Sequence, residues 1–373
     1  MPAKYAEEAK ELLKSGNIIK QIIKDTETLG YIGEDDNKIL GYLITLSRKL
    51  QEPLSGIVSS SSGAGKSKLV EILQSLAPKD EVVFTSRLTA QSLYYMPKDF
   101  LKNKLLIIEE RIGSELADYA IRSLQSKGCL SLAVPLKNQT VFFEVEGPVS
   151  VLETTTSFRI NSENASRCFI LYLDESRKQT ERIQAYQRKV KTYKGIDSAK
   201  LTEKVINFHR ALQKSIASYP IIIPYAEKLT FPSQNPASRR GNQKLLTLIE
   251  AVTLLHQYQR EKVTRKGITY LVSSIKDYEI AHRLFKHSYD RTSVTSHPKA
   301  GLLLNCISSM QKEVFTRKDI ASFSSWPDYA VRDNIRYLED AGLVEIIQKE
   351  KGKEVIYRLN GNFNLTEPES LEE

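Results

Sequence analysis

Residues 60–67 read Ser-Ser-Ser-Gly-Ala-Gly-Lys-Ser, between a short β-rich run at 57–60 and an amphipathic helical pattern that starts at Lys66. This strand, glycine loop, Lys-Ser, helix succession matches a P-loop except at its first position, where Ser60 replaces glycine. No other feature constrains the fold as much, because such a loop needs a buried strand behind it and a helix N-terminus in front. Gly63 and Gly65 let backbone N–H groups wrap phosphate oxygens. The helix start adds the positive end of its dipole. Lys66 supplies a point charge to the β and γ oxygens, and Ser67 a hydroxyl for a metal. Ser62, Gly63, Ala64, Gly65, Lys66, Ser67 and Lys68 are therefore the expected nucleotide cradle, with ATP and Mg²⁺ as cofactors.

A second apolar run, Leu105-Leu106-Ile107-Ile108, ends in Glu109-Glu110. It has the form of a buried parallel strand with carboxylates at its C-terminal end, a Walker B element. One acid there can reach Mg²⁺ or its waters, and the next can polarise an attacking water. Glu109 is assigned to the metal and Glu110 to the water. The first slot is usually Asp, so the division between them stays open. Further strands are expected at 82–86, 147–156 and 167–174, with a hairpin at 130–147. Strands alternating with helices imply an α/β fold, a parallel sheet covered on both faces.

At about 150 residues per domain, 373 residues suggest two or three domains. A hydrophobic share of 41% is enough for cores. No stretch nears the roughly 18 apolar residues of a membrane helix, and the charged start MPAKYAEEAKELL does not resemble a secretory signal. The three cysteines are scattered and form no CxxC pair, which excludes a disulfide scaffold and a cysteine zinc site. They fit a reducing compartment, so the cytoplasm is expected. The five histidines form no ligand cluster and read as ordinary surface or core residues. A formal net charge of +9 favours polyanionic partners such as nucleic acid.

With both Walker elements in order, the chain resembles an AAA+ ATPase: an αβα P-loop core with a helical lid. The segment between Glu110 and Asp174 narrows the likeness to minichromosome-maintenance (MCM) helicases and to the helicase segments of mobile-element primase-helicase proteins. Ser-Lys-Gly at 126–128 and the hairpin after it resemble the insertion before their sensor-1 strand. VSVLETTT resembles that strand, which implies a sensor role for Thr156, with Thr155 as the alternative. ASRCFILYLD resembles their arginine-finger segment, which implies that Arg167 serves a neighbouring subunit. ASRRGNQKLLTLIEAVTLLHQYQR resembles the lid helix, which implies a sensor-2 role for Arg239 or Arg240. The chain lacks the zinc-finger cysteines of primase-fused relatives and the large N-terminal DNA-binding domain of MCM proteins.

The expected organisation is a helical leader at 1–36, the ATPase core at 37–175, and a helical extension and lid at 176–291. A linker at 292–298, a C-terminal winged helix at 299–360 and a disordered acidic tail at 361–373 follow. In the winged helix Thr316 caps the second helix, Pro327 opens the third and Gly342 ends it. Arg332 and Arg336 stand one turn apart on the face that would meet a DNA groove. Lys349, Lys351 and Lys353 lie in the wing, within reach of phosphates. Lys127, just before the earlier hairpin, and Lys137, in its turn, could hold a strand inside a ring. The expectation is a homo-oligomeric, hexameric ring acting on single-stranded or forked DNA as a replicative helicase of a mobile element. A primase or another replication protein is the expected partner, and no membrane is involved. The alternative is a non-translocating initiator or helicase loader, similar to archaeal origin-recognition proteins. A winged-helix regulator with a degenerate ATPase is a third reading, disfavoured because both Walker elements are intact.

Overall fold

The computed structural model describes residues 3–371 apart from 90, 112–116, 137–138, 157–159, 161, 232–236, 296–297, 311, 325, 341–343, 351–353 and 360–364. Three helices come first: α1 (Ala3–Ser15), α2 (Ile18–Thr28) and α3 (Asp35–Leu46). The sheet is built from β1 (Ser55–Ser59), β2 (Val82–Thr85), β3 (Lys104–Ile108), and two later strands. Helix α4 (Lys66–Leu76) follows β1, and α5 (Asp118–Lys127) follows β3. A hairpin of β4 (Cys129–Leu136) and β5 (Gln139–Glu146) then leads to β6 (Val149–Thr155). Helix α6 (Ser162–Arg167) and β7 (Phe169–Tyr172) complete this part.

The five strands pair in parallel, in the order β2-β3-β6-β1-β7. Alternate side chains point to opposite faces. Val58, Leu105, Ile107, Leu152 and Leu171 join the larger core with α1 to α4. Leu106, Ile108 and Val151 face the other way, against α5, while Ile57, Ile170 and Tyr172 pack with Cys168. β6 lies between β1 and β3, so the glycine loop and the acid pair stand two strand spacings apart, about 10 Å.

After β7 come α7 (Arg177–Val190), α8 (Tyr193–Ser215), the short strand β8 (Ile221–Ile222) and α9 (Ala237–Leu255). A hairpin of β9 (Lys262–Arg265) and β10 (Ile268–Val272), with β8 beside β10, precedes α10 (Ile275–Thr295). The C-terminal part contains α11 (Pro298–Ser309), β11 (Val314–Thr316), α12 (Arg317–Ser324) and α13 (Asp328–Asp340). β12 (Val344–Gln348) and β13 (Ile356–Leu359) pair antiparallel, and β11 lies on the other side of β13. These elements enclose their own core of Leu303, Ile307, Phe315, Ile320, Val331, Ile335, Leu338 and Tyr357. Thr316 caps α12 as expected. Its hydroxyl accepts the Asp319 amide at 3.2 Å and the Asp319 carboxylate accepts the Thr316 amide at 2.8 Å, a reciprocal cap. No helix among the described residues is long and apolar enough to cross a membrane.

Several expectations need correcting. The 1–36 segment, expected as a helical leader, packs into the main core through Ala9, Leu13, Ile18 and Ile22. Asp25 of α2 is buried and bonds His209 Nε2 of α8 at 2.9 Å, while Tyr42 of α3 meets Nδ1 of the same ring at 3.2 Å. The expected linker at 292–298 is largely helix, since α10 continues to Thr295 and α11 starts at Pro298. The tail is not loose where it is described. Leu365 and Leu371 are buried, Tyr278 donates to the Thr366 carbonyl at 2.6 Å, and the Thr366 hydroxyl accepts the Thr230 amide at 2.7 Å. Two leucines among the tail's acids supply the apolar area that holds it. The segment that resembles a lid helix is helical over Ala237–Leu255, and Lys262 starts a strand.

Candidate functional site

Ser59 ends β1, and the chain turns through Gly63 (φ +84°) and Gly65 (φ +106°) into α4. Both glycines are left-handed, a conformation that side chains disfavour, and a Cβ built on either meets nothing within 4 Å. The loop is thus an open cradle at a helix N-terminus, the shape and polarity that phosphate oxygens need. Lys66 is largely buried at the base of the loop. Its Nζ donates to the carbonyls of Ser60 at 2.8 Å and Ser61 at 2.7 Å. Burial pushes the Lys66 ammonium below its ordinary pKa, and the charges of Glu110 and Glu175 oppose that shift. Ser67 lies exposed on the first turn of α4. Lys68, the last residue expected in the cradle, is exposed and pairs with Glu71 at 3.3 Å along the helix.

The acids arrive on β3. The Glu109 amide donates to the Thr85 carbonyl at 3.0 Å and the Glu110 amide to the Ser86 carbonyl at 3.2 Å, which continues the strand beyond Ile108. Glu110 is half-buried and its charge acts on Lys66, whereas Glu109 is exposed. Of the two, Glu110 is the acid the structure brings to the phosphate loop. Thr155 pairs across from Ser59, so β6 ends level with the start of the loop; Thr156 follows it, half-buried. Among the described residues no three carboxylate, histidine or cysteine side chains gather as a metal site. A divalent ion here would depend on Ser67, one of the acids and the nucleotide's own phosphates, as is usual for Mg²⁺.

Behind the acids runs a buried polar network that the sequence reading missed. Glu153 sits inside β6, opposite Ile57 on one side and Ile108 on the other, and is 1% exposed. Its carboxylate pairs with the Arg111 guanidinium, which also binds Asp118 at 2.6 Å. Asn164 of α6 donates to Asp118 at 2.6 Å. Burial pushes the Glu153 carboxyl up to about 7, with the Arg111 charge pulling the other way. The available signal was one acid in the apolar run VSVLETTT.

Arg167 closes α6, where its Nε donates to Ser126 Oγ at 3.0 Å and its Nη1 to the Glu163 carbonyl at 2.8 Å. The Glu163 carboxylate instead pairs with Arg122 at 3.3 Å. Phe169 pairs with Gly56, at the start of β1. Arg167 therefore lies at the end of the sheet away from its own loop, four or more residues down the strand, about 13 Å. Arg240 comes to the same place, with Nη1 donating to Ser166 Oγ at 2.9 Å; Arg239 is exposed. Burial and the neighbouring charges of Arg240 and Arg122 push Arg167 below its ordinary pKa.

A model of the MTBMA_p00010 P-loop domain matches residues 4–217, more than half of the chain. The chain belongs to the MTBMA_p00010 P-loop domain family. No curated protein matches it. The matched span takes in α1 and α2 as well as the sheet, in agreement with the single core that joins them. A P-loop domain is a nucleotide-binding fold and generally an NTPase, usually with Mg²⁺, and the cradle described above fits that chemistry.

The residues expected to face DNA are dispersed, some within the MTBMA_p00010 P-loop domain and some beyond it. Lys127 is exposed at the end of α5, just before Gly128 turns the chain (φ +69°) into the hairpin. Arg332 and Arg336 are exposed on α13, with Arg332 beside Asp333 at 3.2 Å. Lys349 is exposed after β12. Lys137, Lys351, Lys353 and Gly342 lie outside the described residues. Glu175, which no motif flagged, accepts the Ser61 amide at 2.7 Å and so occupies one donor of the phosphate loop.

Proposed function

We propose that the chain is an ATP-driven, ring-forming DNA translocase of the MCM-like AAA+ group, acting as a replicative helicase of a mobile element in the cytoplasm. One observation carries the reading. The loop, the acids and the sensor strand share one end of the sheet, while Arg167 and Arg240 lie at the other, about 13 Å or more away. Each copy then holds the two halves of different sites. Joining them requires a head-to-tail contact, which closes into a ring when its rotation permits; six copies are the proposed number.

In that site the loop amides and Lys66 grip the β and γ phosphates. Ser67 and Glu109 would hold Mg²⁺, which would supply charge neutralisation at the transferring phosphoryl group. Glu110, the acid nearer Lys66, orients the attacking water and accepts its proton. Thr156 contacts that water or the γ phosphate from the end of β6. The adjoining copy's Arg167 stabilises the charge that develops at the γ phosphate, with Arg240 beside it. Residues 176–291 act as the lid. Residues 299–360 act as a winged helix, with α13 presenting Arg332 and Arg336 to a groove. The β4–β5 hairpin with Lys127 reaches a strand in the channel. A primase or another replication protein would complete the machine.

The test is strand displacement on forked DNA with and without ATP, beside particle images of the same samples. Wild-type protein should form rings and displace the strand, and Lys66→Ala protein should not displace it. ATP-dependent DNA binding with no displacement from either fork polarity would reject the motor and favour an initiator or loader.

A further inference from the structure

Between Arg177 and Lys191 the chain carries six basic residues and one acid, Glu181, so this stretch alone accounts for more than half of the net charge of +9. Most of the stretch is α7. The helix rests on the body through Gln179, Ile183 and Tyr186: Gln179 donates to the Ile32 carbonyl, and the Tyr186 ring lies against Gly30. At 100° per residue the opposite arc holds Arg177, Lys178, Arg182, Arg188 and Lys189, all exposed, with Glu181 and Ala185 between them. Arg177 pairs with Glu181 at 2.8 Å. Among the described residues, Lys178, Arg182, Arg188, Lys189 and Lys191 have no carboxylate partner. Like charges a turn apart destabilise a helix, so apart from the Arg177–Glu181 pair and the basic last turn, folding gains little from this arc.

We propose that α7 is a phosphate-backbone contact for single-stranded nucleic acid. Lys178, Arg182 and Lys189 align along about 16 Å of the helix axis, a row of point charges suited to a chain of phosphates. The arc offers no apolar side chain larger than alanine, so it lacks what an amphipathic helix inserts into a lipid surface. Its lysines and arginines offer charge on long flexible stems, which suits phosphate contacts rather than base readout. The grip is therefore electrostatic and indifferent to sequence. α7 begins two residues after Glu175, which bonds the phosphate loop at Ser61. The strand contact is thus tied by a short tether to the nucleotide site. The assignment deepens the DNA reading above by naming where a strand is held, and does not require unwinding.

The experiment compares wild type with a combined Lys178→Gln, Arg188→Gln, Lys189→Gln variant. The anisotropy of a labelled oligothymidylate is followed as salt is raised, with anionic phosphatidylglycerol vesicles as a parallel probe. The variant should lose roughly tenfold or more in affinity. Its slope of log K against log salt should be shallower by about 2, at about 0.7 per lost phosphate contact on a single strand. Its thermal melt and its binding of a fluorescent ATP analogue should match wild type. Unchanged affinity and slope in a folded variant would overturn the α7 assignment and leave the DNA reading standing. Wild-type protein that binds the vesicles but no oligonucleotide would overturn both. A loss of slope with wild-type protein that never displaces a strand would keep α7 and reject the motor alone.

Discussion

Glu175 holds the Ser61 amide at 2.7 Å, and Lys66 holds the Ser60 and Ser61 carbonyls. A carboxylate thus stands where phosphate oxygens would bind, and it must leave or share the amide when nucleotide arrives. Glu175→Gln removes that like charge, so nucleotide should bind several-fold tighter, read as a lower Kd for a fluorescent ATP analogue. Equal or weaker binding would mean that Glu175 supports the loop rather than competing for it. Glu153 makes a different kind of prediction. Its carboxyl is raised to about 7 in the folded chain, against an ordinary value of 4.5. Between those values the folded state keeps a proton that the unfolded chain has released, so this group makes stability fall as pH rises from about 4.5 to 7. In Glu153→Gln protein that contribution is gone, and the melting temperature relative to wild type should rise across the same window. Glu250, also raised to about 7, is present in both proteins and cancels in the comparison. A constant difference between the two melting curves would show that Arg111 keeps Glu153 ionised throughout.

At the scale of elements, β1 is legible because its apolar residues run straight into a glycine loop whose chemistry has few alternatives. The order of the sheet is less so. Nothing in residues 147–156 says that β6 inserts between β1 and β3; burial on both faces is readable, but neighbours in a parallel sheet are chosen by long-range packing. The β9–β10 hairpin escaped because the helical pattern before it runs on through charged residues past Leu255. Packing shows its demands most clearly at Gly56. A Cβ there would meet Ile44 Cδ1 at 2.8 Å, Leu152 Cδ1 at 3.2 Å and Leu171 Cδ1 at 3.3 Å. The missing side chain lets α3 lie close on the strand that carries the loop. Gly56→Val should therefore destabilise the chain by roughly 1–3 kcal/mol, the usual range for overpacking a core, measured by chemical denaturation. A change within about 0.5 kcal/mol would show that the three methyl ends move aside freely.

Across the whole molecule, the ends were the hardest to read. Residues 1–36 and 361–373 look polar by composition, yet each places a few apolar residues into a shared core: Leu13, Ile18 and Ile22 at one end, Leu365 and Leu371 at the other. Composition averages hide such sparse anchors, while Asp25 finds its partner His209 only when positions 184 apart in the chain come together. Arg167 has the same character. Its residue type was readable, but its distance from the loop of its own chain follows from the pairing of Phe169 with Gly56. That pairing gives the oligomer a quantitative test. A Lys66→Ala copy lacks the loop's lysine and keeps the guanidinium; an Arg167→Ala copy has the reverse. If each site takes its loop from one copy and its arginine from the next, an equal random mixture rebuilds both in about one site in four, one half times one half, in a closed head-to-tail ring. Each variant alone should hydrolyse ATP at background rate, and the mixture should recover up to about a quarter of wild-type turnover. If every site used its own arginine, no ratio of the two proteins could restore hydrolysis, because neither copy carries both groups.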